Sequence, residues 1–173
     1  MNRNNKGFTI IELVVTTSIL VIITTLIFAN YPKFRENISL KKTAQEIALA
    51  VRQAQTYGLG VREFQPGTGI FPGYGVHFVK NSDSFILFAD VNGNNIIESF
   101  KIQTGETISD LCVNTTSCGH NTIDIIFFRP KPLVTIKADG SSSGISDAEI
   151  KIISPGGQIK TIVILSSGQI SVK

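Results

Sequence analysis

Few residues in this chain have both the type and the spacing for chemistry. Glu12 is the only charged side chain between Lys6 and Lys33, set inside KGFTIIELVVTTSILVIITTLIFA. A carboxylate in a membrane-length apolar run costs about 2.5–3.5 kcal/mol near the bilayer centre, less near the interface, and marks function where it occurs. Cys112 and Cys118 are the only cysteines, separated by VNTTS. An even count outside a membrane favours a disulfide closing a small loop; the alternative is two free thiols. A structural zinc needs four ligands, and only His120 lies near, so no metal is expected there. Asp90, Asn92 and Asn94 follow the D-x-N-x-N opening of a calcium loop, with Glu98 at the ninth position. Asn95 and Lys101 stand where a full loop needs Gly and Glu. The segment is read as a hairpin turn, for which Asn-Gly is the strongest short signal, with calcium ligation as the competing reading. His77 falls in a strand and His120 in a loop, with no partner pattern, so both are read as packing or surface residues. No P-loop or G-x-G-x-x-G occurs. The chain is expected to be no enzyme and to need no cofactor.

The elements that must position these residues are legible in the pattern. Residues 8–29 as a helix rise roughly 33 Å, enough for a hydrocarbon core of about 30 Å. The Thr and Ser within it can bond back to carbonyls of the preceding turn. Arg3 and Lys6 precede the span, and positive charge there holds that end in the cytoplasm and the rest outside. A secretory signal has a shorter apolar core and a small-residue cleavage site after it, so the span is expected to be retained. Pro32 predicts a kink or loosened turn. Leu40, Ala44, Ile47, Ala48, Val51 and Ala54 then recur at helical steps, as the Ala-rich face of a helix ended by Gly58 and Gly60. From residue 74 onward short Ile-, Val- and Phe-rich runs alternate with Gly and Pro, and 154–158 (SPGGQ) predicts a hairpin turn. No helix intervenes, which argues one or two antiparallel sheets. The expected class is therefore α+β, a long helix packed on an antiparallel sheet domain. The expected division is 1–7, 8–29, 30–58 and 59–173. Net charge is +3 with acids and bases interspersed, which speaks against a nucleic-acid patch.

At the N-terminus the residues carry a family resemblance. Gly7-Phe8, then TIIE ending in Glu12, then the long apolar run, resembles type IV prepilins and type II secretion pseudopilins. The resemblance implies that residues 1–7 are a leader, cut between Gly7 and Phe8 by a prepilin peptidase, and that Phe8 is then N-methylated. It also implies that Glu12, fifth in the mature chain, acts in subunit assembly, and that the fold is the pilin fold. VRQAQTYGLG, then FFRPKP, then the C-terminal hairpin resembles the H-type minor pseudopilins of type II secretion and their pilus counterparts, expected at a filament tip.

The partners so implied are other pilin or pseudopilin subunits, the prepilin peptidase, the inner-membrane assembly platform and the membrane itself. The implied location is the cytoplasmic membrane, single-pass with the N-terminus inside, and then a pilus or pseudopilus. Three other functions compete. A major pilin would dominate a sheared filament. A DNA-receptor minor pilin would need a basic stripe; Lys131, Lys137, Lys151, Lys160 and Lys173 are interleaved with Asp139, Asp147 and Glu149, and the terminal GQISVK holds no arginine. A membrane-anchored binding domain would keep its leader.

Overall fold

A computed structural model describes residues 7–60, 62–91, 95–102, 105–129 and 134–173, without the side chains of residues 29 and 30. One helix, α1 (Ile10–Leu59), precedes ten strands: β1 (Gly73–Val79), β2 (Ser84–Asp90), β3 (Asn95–Lys101), β4 (Thr107–Val113), β5 (Ser117–Cys118), β6 (Thr122–Phe127), β7 (Val134–Ala138), β8 (Asp147–Ile153), β9 (Ile159–Leu165) and β10 (Ile170–Val172). The chain divides into two compact units, Met1–Glu36 and Asn37–Lys173. The first holds the apolar part of α1; the second, the head, holds the remainder of α1 and every strand. The helical assignment passes through Pro32 without a break.

The head is α+β, as the pattern predicts. Its strands form two five-stranded sheets, ordered β3-β2-β1-β6-β7 (sheet A) and β10-β9-β8-β4-β5 (sheet B). Every strand pair is antiparallel. Leu40, Ala44, Ile47, Val51 and Ala54 from α1 share one core with Val76, Phe78, Leu87, Ile123 and Ile125 of sheet A and Ile108, Leu111, Ile150, Ile152, Ile162 and Ile164 of sheet B. Alanine on the buried helix face permits close approach to both sheets, and the strands supply the volume. The 154–158 turn closes β8 onto β9: Ser154 N–H donates to Gln158 O at 2.9 Å, Gly157 N–H to Ser154 O at 2.9 Å, and Gly157 takes φ +82°. That sign is where glycine is least strained.

Sheet A also buries side chains on the face away from the shared core. Phe88 and Ile126 are buried there, flanking Gly75 in register. The absence of a side chain at Gly75 makes room, since a Cβ would stand 2.8 Å from the Phe88 ring. At Gly73 the Phe128 ring fills the same kind of space.

Gly58 does not stop the helix, which runs one residue further. A Cβ at Gly58 would stand 2.8 Å from Phe127 Cβ and closer still to Phe127 O, so the glycine permits α1 to touch β6. Gly58→Ala therefore sets a helix-propensity gain of about 1 kcal/mol against overpacking of about 1–3 kcal/mol. Backbone atoms yield least, so the clash wins. The variant is expected to unfold at a lower temperature than wild type, read by circular dichroism on the full chain in detergent.

Candidate functional site

The N-terminal site is built on the first turn of α1. Gly7, Phe8 and Thr9 precede the helix and are exposed. Thr9 caps it: Glu12 N–H donates to Thr9 Oγ1 at 3.3 Å, and Leu13 N–H donates to Thr9 O at 3.1 Å. Thr9 and Glu12 thus occupy the two ends of a T-x-x-E capping box. An acid in the first turn also faces the positive end of the helix dipole. Among the described residues no partner meets the Glu12 carboxylate. Beyond it, Thr16 donates to Glu12 O at 2.9 Å, Thr17 to Leu13 O at 2.9 Å, Ser18 to Val14 O at 2.7 Å, Thr24 to Leu20 O at 2.7 Å and Thr25 to Val21 O at 2.7 Å. These hydroxyls are spent on the helix itself, so the outer surface is effectively apolar. Between Phe8 and Phe28, fourteen large apolar side chains are exposed. The helix is long and apolar enough to cross a membrane.

In the head, Cys112 and Cys118 form a disulfide. They lie directly opposite in the β4–β5 register, with Cα atoms 4.0 Å apart, the spacing of a pair that exchanges no backbone hydrogen bonds. The enclosed turn is held from β8. Asn114 and Thr115 both adopt positive φ, and the buried Asp147 accepts from Thr115 N–H at 3.1 Å and from its hydroxyl at 3.3 Å. Lys80 Nζ donates to Asp110 Oδ1 at 2.9 Å, and this contact holds the Asp110 carboxyl below the usual aspartate range.

The candidate calcium ligands are not gathered by what is described. Asn92 and Asn94 lie outside the described residues. Asp90 ends β2, whereas Glu98 is exposed in β3 opposite Leu87, three residues up the partner strand and so roughly 10 Å away. The hairpin itself is present, with Asn95 opposite Ala89 and Asn95 Nδ2 donating to Val91 O at 2.7 Å.

Both histidines have acid partners that no sequence spacing announces. His77 Nδ1 lies 2.5 Å from Asp124 Oδ1, across directly opposed positions of β1 and β6. His120 Nδ1 lies 2.9 Å from Asp139 Oδ2, and His120 Nε2 lies 3.2 Å from Ser117 Oγ. The first signal for these groupings is strand register, which the chain order conceals.

The model of the prokaryotic N-terminal methylation motif matches residues 2–28. A match there supports a protein of the type IV pilin or pseudopilin class, anchored by its apolar N-terminal helix and assembling with other subunits of that class after prepilin peptidase processing. Nothing among curated proteins or solved structures matches the chain.

Two outcomes follow for the head. Reducing the disulfide, or replacing Cys112 and Cys118 by Ser, is expected to lower stability by about 2 kcal/mol, the loop-closure value for so short a loop. Urea unfolding with and without reductant reads this. The Lys80–Asp110 contact lowers the folded-state pKa below the unfolded value of about 3.9. Its contribution is therefore complete above that pH and is lost as pH falls through the folded value. Lys80→Met is expected to shrink the loss of stability on acidification, measured as urea midpoints from pH 6 to pH 2.

Proposed function

We propose that the chain is a structural subunit of a type IV pilus or type II secretion pseudopilus, of the H-type minor class, placed at the tip where assembly starts. A prepilin peptidase cuts between Gly7 and Phe8 on the cytoplasmic side and methylates the new amine of Phe8. The subunit waits in the cytoplasmic membrane with its head outside until the assembly platform adds it to the filament. Glu12 then accepts the Phe8 α-ammonium of a neighbouring subunit, which sets the register between helices.

One observation carries this reading: a methylation motif whose acid stands in the first turn of an otherwise apolar, uncovered helix. An unpaired carboxylate taken into a helix bundle is heavily penalised, and an amine from the next copy removes most of that penalty. Gly7 lends support. A Cβ there would meet nothing within 4 Å, so the packing of this chain places no demand for glycine at that position. A demand from a peptidase fits. The H-type assignment rests on the resemblance of VRQAQTYGLG, FFRPKP and the C-terminal hairpin, the last of which forms β8 and β9 ahead of a β10 strand led by Gly168.

A second reading, nucleic-acid capture, has one feature in its favour. Lys41, Arg52 and Lys160 line a groove of about 480 Å³ in the head, floored by Ala48, Leu49 and Val172. Interleaved acids and a terminal strand without arginine weigh against it.

Glu12→Leu tests the assembly role. It removes a charge from the span, so the variant is expected to insert as well as wild type. Incorporation into sheared filaments, read by immunoblot beside the membrane fraction, is expected to vanish. Wild-type incorporation of the variant would remove the pairing mechanism.

A further inference from the structure

The head carries a second constellation, independent of the assembly reading. Ser117, His120 and Asp139 form a hydrogen-bonded chain: Ser117 Oγ to His120 Nε2 at 3.2 Å, and His120 Nδ1 to Asp139 Oδ2 at 2.9 Å. The bond from His120, aided by backbone N–H donors, holds the Asp139 carboxyl below the usual range. An ionised carboxylate only accepts hydrogen bonds, so Nδ1 carries the proton. In the neutral imidazole the lone pair then lies on Nε2, facing the Ser117 hydroxyl. We propose that Ser117 is a surface nucleophile, with His120 as its general base and Asp139 fixing the imidazole, that takes an acyl group from an activated carboxylic ester.

Each member is anchored by backbone, which separates this arrangement from three surface side chains that happen to meet. Asp139 Oδ1 accepts from Asn121 N–H and Thr122 N–H, both at 2.9 Å, while its own N–H donates to Thr122 O at 3.0 Å. His120 N–H donates to Leu111 O at 3.2 Å, and its side chain is only 23% exposed. Ser117 stands opposite Val113 in register and beside Cys118, whose disulfide pins β5 to β4. Nucleophile, base and orienter therefore come from β5, the following loop and the turn after β7. The roles of the three are those of an acyl-transfer triad, recognised by geometry and not by chain position.

An oxyanion donor is at hand. β5 is the edge of sheet B, and Gly119 N–H donates to Leu111 O at 3.1 Å. Alternation along an antiparallel pair then turns the Cys118 N–H to the open side of the edge. The N–H of the residue after the nucleophile is one used as an oxyanion donor by hydrolases with a nucleophile elbow.

The step balances. Ser117 Oγ bonds to the ester carbonyl carbon while its proton passes to His120 Nε2; the bond from that carbon to the leaving oxygen breaks, and the alcohol takes the proton from His120. The products are acyl-Ser117 and a free alcohol. Water, deprotonated by the same nitrogen, releases the carboxylic acid and restores the serine. The exposed setting favours small activated esters.

The test uses the full chain, disulfide intact, in detergent micelles, with an alkyl fluorophosphonate and with 4-nitrophenyl acetate as probes. One phosphonyl group is expected on Ser117, located by peptide mass spectrometry, with loss of fluoride. Ser117→Ala is expected to abolish the adduct. His120→Ala and Asp139→Asn are expected to slow it about a hundredfold or more, the lower range for a positioned base. Asn tolerates the left-handed backbone of residue 139, where φ is +49°, so the fold is kept. Partial recovery of His120→Ala by added imidazole distinguishes a base from a packing residue. No adduct on wild type, an equal adduct on Ser117→Ala, or His120→Ala and Asp139→Asn both reacting at the wild-type rate would overturn the proposal. Ser117→Ala is expected to enter filaments normally, so failure here leaves the assembly reading standing.

Discussion

The controlling constraint is the surface of α1 before Pro32. Fourteen large apolar side chains there face outward, and covering each contributes roughly 1.5–3 kcal/mol. The sum is on the order of 20 kcal/mol, against about 3 kcal/mol for carrying one carboxylate into the same surroundings. Burial therefore wins with Glu12 in place, and the acid is carried along. A residue retained at that cost near the start of the span is expected to meet a partner once the helix is surrounded. Before that encounter, the capping contact with Thr9 gives the first turn its local stability. On the proposed reading, lipid and neighbouring subunits are alternative covers for one surface, so a single helix serves first as an anchor and then as a contact between subunits.

The head answers to a different requirement. It must fold around the second stretch of α1 without exposing comparable surface. The two sheets do this by sharing one core about a narrow helix face, Leu40 to Ala54, made mostly of small residues. Close approach recurs at Gly58 against Phe127, at Gly75 against Phe88 and at Gly73 against Phe128. Three glycines thus set how near the helix comes to sheet A and how its outer face is closed. The short β4–β5 edge, by contrast, is fastened covalently and by Asp147.

The helix face was legible because Leu40, Ala44, Ile47, Val51 and Ala54 keep a helical period, and each is buried. The nine longer strands were legible because β-branched and aromatic runs are set off by Gly and Pro. β5 was not, since two residues (Ser117 and Cys118) carry no period. The partition into two sheets was not legible either, because the nine longer strands share the same apolar character and pairing order leaves no local mark. Pro32 marks a lost hydrogen bond, yet helix on both sides keeps the element continuous. At the candidate sites, Glu12 was legible as an anomaly in a charge-free run. His77 with Asp124, and Ser117 with His120 and Asp139, were hidden by their separation along the chain. Strand pairing and a left-handed turn at Asp139 bring them together, and neither is a property of spacing.

The central claim is that Glu12 meets an amine created at Phe8 when seven residues are removed. Intact-mass and N-terminal peptide spectrometry of the chain recovered from assembled filaments measures this directly. The account predicts a mature chain beginning at Phe8 and carrying one added methyl group on its α-nitrogen. A chain still beginning at Met1, or one beginning beyond residue 30, would contradict it.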